Sequence, residues 1–277
     1  MKIFYILCFI GFTLFAKDLN YPNGKLGEVV KLGEDILNNT DTNPLSKEYI
    51  NSKLKCVNCH RKGDDGKVGT TKKIGTFIGT ATSFPAYSKR YNDIISLQNR
   101  IDGCFSRCLG GDKSVVNTKV GIAVESYITW LSSGMDINMS SKAPRTPLKI
   151  EIWSKNRAKF KKLFKKVKYS NFLNGKKLYR EKCASCHGLN GKGNNDFPPL
   201  WGKDKDGKWL SYTADGSMAK LPNAATWIQD NMPLNNTTLT DDEVVDITLY
   251  INSQDRANYR GFKVEDNFKK LGIKMFK

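Results

Sequence analysis

Two pentapeptides, Cys56-Val57-Asn58-Cys59-His60 and Cys183-Ala184-Ser185-Cys186-His187, contain both histidines of the 277-residue chain. The Cys-x-x-Cys-His pattern is the attachment signature of c-type haem: the two thiols add to the haem vinyl groups and the imidazole binds iron from one face. A zinc site would need four nitrogen or sulfur ligands close together, and the two runs are not paired at such a spacing. The sequence therefore predicts two covalently bound c-type haems. Their attachment residues are Cys56, Cys59, Cys183 and Cys186, and their first axial ligands are His60 and His187.

The histidine count restricts the opposite face of each haem, because no further imidazole is present in the chain. The sixth ligand has to be Met, Cys, Lys or Asn, or be absent. For the second haem we expect Met232, which is followed by a proline and precedes the last predicted helix. Met218 is the main alternative ligand, and Lys192 is a weaker one. Met232 could instead be a core residue without a ligand role.

The first haem has no equivalent Met-Pro pair between His60 and the proline-containing boundary at Ser140–Pro147. The same interval contains the run Arg100-Ile101-Asp102-Gly103-Cys104-Phe105-Ser106-Arg107-Cys108. A thiolate ligand lowers the potential of haem iron, and flanking arginines favour the thiolate form. A Cys104–Cys108 disulfide is the alternative, although i and i+4 Cβ atoms on a helix are about 5–6 Å apart and a disulfide needs about 3.5–4.5 Å.

The N-terminus has the features of an export signal. Lys2 and the apolar run Ile3–Phe15, ending at Ala16, are typical of a secretory signal peptide over residues 1–16. The run is too short for a comfortable membrane span, and no second span follows it. Export and c-type haem both indicate an oxidising compartment, most simply the bacterial periplasm, so we expect a soluble mature protein without membrane contact.

The charge balance is strongly basic, with 45 Lys and Arg against 27 Asp and Glu and a formal net charge of +18. Such a surface keeps a protein soluble and also attracts small anions, acidic partners or anionic lipids. Nucleic acid is not expected as a partner, because an exported haem protein rarely meets it.

Both halves of the chain repeat one plan of helix, Cys-x-x-Cys-His run, Gly- and Lys-rich loop and closing helix. In the first half, the early helix is expected over Gly27–Leu37, and the closing helix has an apolar stripe formed by Ala123, Tyr127, Trp130 and Leu131. In the second half, Thr240-Asp241-Asp242-Glu243 is a capping box that begins the closing helix. The remaining apolar positions at helical spacing are Phe172, Leu173, Leu178, Tyr179, Val244, Val245, Thr248 and Leu249.

We therefore predict an all-α fold with two class I cytochrome c-like domains, residues 17–145 and 171–277. A basic linker or strap over 146–170 joins them. Its segment Ile150–Tyr169 places Trp153, Phe160, Phe164 and Val167 on one helical face, with lysines elsewhere. Such a basic amphipathic helix either lies on a membrane or packs on its own protein, and we expect the second.

A wider comparison of motifs points to one family. The block from Arg100 to Arg107 around Cys104 resembles the stretch of the dihaem thiosulfate dehydrogenases and tetrathionate reductases that supplies a Cys ligand to the active-site haem. These enzymes are related to the Sox-type Cys-ligated cytochromes. Further matching stretches are Phe84-Pro85-Ala86-Tyr87, Tyr127–Leu131, Phe197–Gly202 and Asn231-Met232-Pro233. The sequence departs from the family at Cys108, where a small hydroxyl residue is usual, and at Gly216-Ser217-Met218.

This resemblance implies oxidation of two thiosulfates to tetrathionate, or the reverse, at a haem ligated by His60 and Cys104. Arg100 and Arg107 are then the expected catalytic partners of Cys104 that bind the anions, with Lys119 and Arg90 behind them. The second haem would pass electrons to a small periplasmic cytochrome c. Two other hypotheses are a non-catalytic dihaem electron shuttle and a Sox-type sulfur-conjugating cytochrome, which would need a partner subunit and a carrier protein.

Overall fold

The computed structural model describes residues 20–139, 150–234 and 236–277, and these are mainly helical. The predicted signal peptide and the Ser140–Pro147 boundary lie outside the described residues. A short hairpin pairs β1 (Ala86–Ser88) antiparallel with β2 (Asp93–Ile95). The helices are α1 (Gly24–Asn38), α2 (Leu97–Arg107), α3 (Lys119–Trp130), α4 (Ile150–Phe164), α5 (Tyr169–Lys182), α6 (Ala184–His187), α7 (Leu221–Asn231), α8 (Asp241–Asn252) and α9 (Val264–Lys269).

The first half is built on a close crossing of α1 and α3. Gly33 permits this approach, because a Cβ atom at this position would collide with the carbonyl oxygen of Ala123. Tyr127 and Leu131 are fully buried on the facing side of the closing helix, as the apolar stripe predicted. The expected early helix over Gly27–Leu37 is confirmed, since it lies within α1.

The second half repeats this crossing with α5 and α8. Gly175 plays the part of Gly33 here, because a Cβ atom at position 175 would collide with the carbonyl oxygen of Asp246. The predicted capping box is present: Thr240 accepts a hydrogen bond from Glu243 N (3.3 Å), and the Glu243 carboxylate accepts from Thr240 N (2.9 Å). The first helix of each half thus packs on its closing helix through a glycine, which supports the predicted pair of cytochrome c-like domains.

Helix α4 is the basic amphipathic segment that the sequence places between the domains. Its apolar face is covered by the second half, where Phe160 and Phe164 are completely buried against α7 and α8. Lys159 fixes the contact, because its Nζ lies 2.6 Å from Asp241 Oδ1. The helix therefore packs on its own protein, as expected. Within the described ranges, no helix is long and apolar enough to cross a membrane.

The two halves also contact each other directly. Trp227 of α7 donates from Nε1 to the carbonyl oxygen of Cys59 (3.2 Å). The Asp230 carboxylate accepts from Ile74 N (2.5 Å), in the loop after the first Cys-x-x-Cys-His run. In the opposite direction, Tyr212 of the second half is buried in the first core. Helix α7 therefore lies directly against the loop that presents His60.

Candidate active site

The first Cys-x-x-Cys-His run forms a tight turn that begins with a 3-10 segment, Cys56–Asn58. The backbone N–H of His60 donates to the carbonyl oxygen of Cys56 (2.9 Å), which brings the two thiols and the imidazole together. Thr40 holds the start of the turn, because its hydroxyl accepts from Cys56 N (3.0 Å) and donates to the carbonyl oxygen of Ile36 (2.9 Å). The end of α1 thus positions the run.

His60 is oriented for binding a metal. Its Nδ1 lies 2.7 Å from the carbonyl oxygen of Gly75, and its ring stacks on Phe77 with centroids 4.1 Å apart. A carbonyl acceptor at Nδ1 selects the tautomer that leaves the Nε2 lone pair free for iron. Burial lowers the pKa of His60, so the imidazole is held neutral, as a ligand must be.

The second run has the same design. His187 ends α6, its N–H donates to the carbonyl oxygen of Cys183 (2.9 Å), and its Nδ1 lies 2.9 Å from the carbonyl oxygen of Pro198. Burial lowers the pKa of this imidazole too. Tyr179 stabilises the turn by donating to the carbonyl oxygen of Gly188 (2.7 Å). Both histidines therefore have Nδ1 occupied and Nε2 available.

Helix α2 carries the predicted cysteine ligand on one of its faces. Arg100, Cys104, Arg107 and Cys108 follow each other at intervals of four, three and one residues, so they share that face. The apolar positions of the helix point elsewhere, and Ile101 and Phe105 among them are buried in the first core. The sequence thus fixes both how the helix packs and what it presents to the site.

Cys104 is surrounded by positive charge. Arg100 Nη1 lies 2.9 Å from Cys104 Sγ. A hydrogen bond with Cys108 lowers the pKa of Cys104 well below its usual value, and the charges of Arg100, His60 and Arg107 act in the same direction. The same hydrogen bond raises the pKa of Cys108. Cys104 is therefore the thiolate of the pair, Cys108 carries the proton, and no disulfide joins them.

The donor set suits c-type haem. Six cysteines are free and half-buried in the described residues, and four of them flank the two oriented histidines. Cys104 lies near the first run, because its charge acts on the pKa values of His60, Cys56 and Cys59. The buried Nε–H of Arg107 has no hydrogen-bond acceptor in the described part of the chain, which suits an anion at this site.

The second half supplies residues that the sequence did not indicate. Thr213 N donates to the carbonyl oxygen of Cys108 (3.1 Å). Asp215 pairs with the predicted Arg90 (2.7 Å) and with Lys220 (3.7 Å). Burial, followed by the charge of Arg90, lowers the pKa of Lys220 to about 8. No local pattern marks Lys220, because the chain places it here only by folding residues 210–220 over the end of α2.

The remaining candidates differ in burial. Met232 is half-buried at the end of α7 and packs against the second core, whereas Met218 packs against both cores. Lys192 and Lys119 are exposed, the latter at the first turn of α3 rather than buried beside Cys104.

Comparison with known proteins agrees with this arrangement. A family model described as cytochrome c matches residues 172–255. The thiosulfate dehydrogenase of Allochromatium vinosum is 30% identical over 247 residues, which is 86% of this chain and 82% of that protein. The thiosulfate dehydrogenase of Psychrobacter arcticus is 33% identical over 239 residues, 83% of this chain and 64% of that protein.

A solved structure of the thiosulfate dehydrogenase (TsdBA) from Marichromatium purpuratum, in its as-isolated form, superimposes with a TM-score of 0.64 and 31% identity. The match covers 84% of this chain, and the chain spans 47% of that longer protein. The fold and the site define a cytochrome c, which carries covalent c-type haem. Within that class, the chain belongs to the thiosulfate dehydrogenase family.

Proposed function

We propose that this protein oxidises two thiosulfate ions to tetrathionate at a haem held by Cys56, Cys59, His60 and Cys104. The observation that carries the proposal is the contact of Arg100 with the Cys104 sulfur, beside the first Cys-x-x-Cys-His run. An electron shuttle needs neither a cysteine ligand nor clustered arginines next to it. Membership of the family supports the same substrate.

The reaction joins the two sulfane sulfurs of two S2O3²⁻ ions and releases two electrons and no proton. The haem supplies the one-electron chemistry when it is bound. The chain's own task is to bring two dianions together, and their repulsion opposes this. Arg100 and Arg107 supply fixed positive charge beside Cys104, and we assign Arg90 and Lys220 to the outer side of the same anion site.

We propose a second covalent haem with His187 and Met232 as its axial ligands. A thioether ligand raises the reduction potential, which suits a haem that accepts electrons from the first site. From there they would pass to a small external cytochrome in the periplasm, reached through the signal peptide over residues 1–16. The relative potentials of the two haems and of that partner decide whether thiosulfate oxidation or tetrathionate reduction dominates.

The test uses the exported holoprotein with both haems attached. Thiosulfate-dependent reduction of ferricyanide and tetrathionate-dependent oxidation of reduced methyl viologen measure the two directions. Arg100→Ala is expected to lower kcat/KM for thiosulfate by about 10²-fold or more, the usual effect of removing a preorganised charged donor. Arg180→Ala, an exposed arginine of α5, is the matched control and should leave it unchanged. A dihaem holoprotein without turnover in either direction would contradict the proposal.

A further inference from the structure

Cys108 is a free thiol that the proposed reaction does not use, and it lies one helical turn from Cys104. The two residues lie one helical turn apart on the same face of α2, and Cys108 N donates to the carbonyl oxygen of Cys104 (3.0 Å). Second-half residues lie against Cys108, because the N–H of Thr213 donates to the Cys108 carbonyl oxygen (3.1 Å) and a Cβ atom at Gly216 would lie 3.6 Å from the Cys108 Cα. The site therefore holds two adjacent thiols next to an anion-binding arginine, Arg107, whose Nε–H has no acceptor among the described residues.

The position of Cys108 at the end of the helix decides whether the two sulfurs can join. Inside a regular helix, i and i+4 Cβ atoms are about 5–6 Å apart, too far for a disulfide. Cys108, however, is the C-cap of α2: its backbone is still helical (φ −82°, ψ −44°), but the helix ends at this residue. Cys108 N and Leu109 N both donate to the carbonyl oxygen of Cys104 (3.0 and 3.1 Å), and Gly110 follows in the left-handed conformation (φ 75°). The end of α2 is therefore the place where the backbone would adjust to bring the sulfurs together.

We propose that tetrathionate oxidises Cys104 and Cys108 to a disulfide, which makes the pair a redox switch controlled by the enzyme's own product. The proposal rests on the proposed function, because it assigns tetrathionate to this site. The Cys104 thiolate attacks the central S–S bond, which breaks and releases one thiosulfate. The Cys108 sulfur then loses its proton and attacks the Cys104 sulfur, and the second thiosulfate leaves. In sum, one thiolate, one thiol and S4O6²⁻ give one disulfide, two S2O3²⁻ and one proton, so the two cysteines are oxidised and tetrathionate is reduced.

The disulfide withdraws the Cys104 sulfur from its role at the first haem site, so turnover stops until a reductant restores both thiols. Arg107 is placed to bind the anionic leaving group, since its buried Nε–H lacks an acceptor in the part of the chain that the structure describes. The switch would respond when tetrathionate accumulates.

The chain offers a direct readout, because Arg107 separates the two cysteines and trypsin cleaves after it. The holoprotein is treated with tetrathionate, alkylated and digested, and the peptides 101–107 and 108–113 are examined by mass spectrometry. We expect them to be joined by a disulfide, with dithiothreitol releasing both and restoring turnover. Haem-linked cysteines do not react, which provides an internal reference.

Cys108→Ser is the control, because serine keeps a hydroxyl donor beside Cys104 but cannot form the bond. Each protein's turnover after treatment is divided by its own untreated value. This ratio should fall in the wild type and stay near one in Cys108→Ser. Fully alkylated Cys108 after treatment, or equal inactivation of the variant, would overturn the switch. The disulfide between the two peptides is detected by mass without any thiosulfate assay. Its presence or absence therefore tests the switch, whereas the turnover assay tests the proposed function.

Discussion

Lys220 provides a prediction whose size follows from the structure. Its ammonium group lies among Arg90, Arg107, Lys270 and the carboxylate of Asp215. Burial is the largest cause that brings its pKa to about 8, with Arg90 next, while Asp215 opposes the shift. Because this pKa is lowered, the positive charge is present below pH 8 and is lost as the pH rises through it.

The expected effect is the change in the charged fraction of this lysine. With a pKa of about 8, roughly 90% of Lys220 is protonated at pH 7 and roughly 10% at pH 9. Thiosulfate is a dianion at both values. If binding of the second anion needs this charge, kcat/KM for thiosulfate should fall roughly tenfold between pH 7 and pH 9.

Three variants separate this cause from others, with ferricyanide as electron acceptor. Lys220→Arg stays charged over the whole range, so its profile should be flat between pH 7 and pH 9. In Lys220→Gln, kcat/KM for thiosulfate should be low at both pH values and equally independent of pH. Lys177→Gln, which removes an exposed lysine of α5, should retain the tenfold fall. The same fall in Lys220→Arg as in the wild type would refute the assignment.

Three further results are expected. Met232→Gly should lower the reduction potential of the second haem and slow electron exit without altering the first haem, because a soft ligand that favours Fe(II) is lost. If Met218→Gly lowers that potential and Met232→Gly does not, Met218 is the ligand. Gly175→Ala should reduce the free energy of unfolding of the second domain by about 1–3 kcal/mol, because the new methyl group collides with backbone at the α5–α8 crossing. A denaturant titration measures this, and an unchanged midpoint would contradict that packing. The mass of the exported protein should include two haems, or about 1.2 kDa, and Cys186→Ala should disrupt attachment of one of them. An exported protein with the mass of the bare polypeptide would refute covalent haem.

Local patterns predicted much of the fold. Each Cys-x-x-Cys-His run, the capping box at Thr240 and the apolar stripes depend on neighbours within a few turns, so sequence alone indicates them. The close approach at Gly33 was not foreseen, since nothing in α1 shows which carbonyl faces that glycine. The amphipathic pattern of α4 likewise predicted burial of Phe160 but not its neighbours in α7.

The candidate site divides in the same way. Arg100 and Cys104 are four residues apart on one helix, so their contact follows from helical geometry. Thr213, Asp215 and Lys220 reach the site only through tertiary packing of the second half on α2, and that packing has no signature in the sequence. Sequence reasoning therefore found residues of the first half and missed those that the second half contributes.

The most direct test of the central claim is replacement of Cys104, followed in the holoprotein by steady-state turnover and low-temperature EPR of the oxidised form. In Cys104→Ala we expect both haems to remain attached, the low-spin thiolate signal to disappear and turnover to be lost in both directions, because Cys104 takes no part in attachment. Cys108→Ser should retain the signal. Near-normal turnover in Cys104→Ala, or an unchanged EPR spectrum, would contradict a cysteine-ligated catalytic haem and favour a plain electron shuttle.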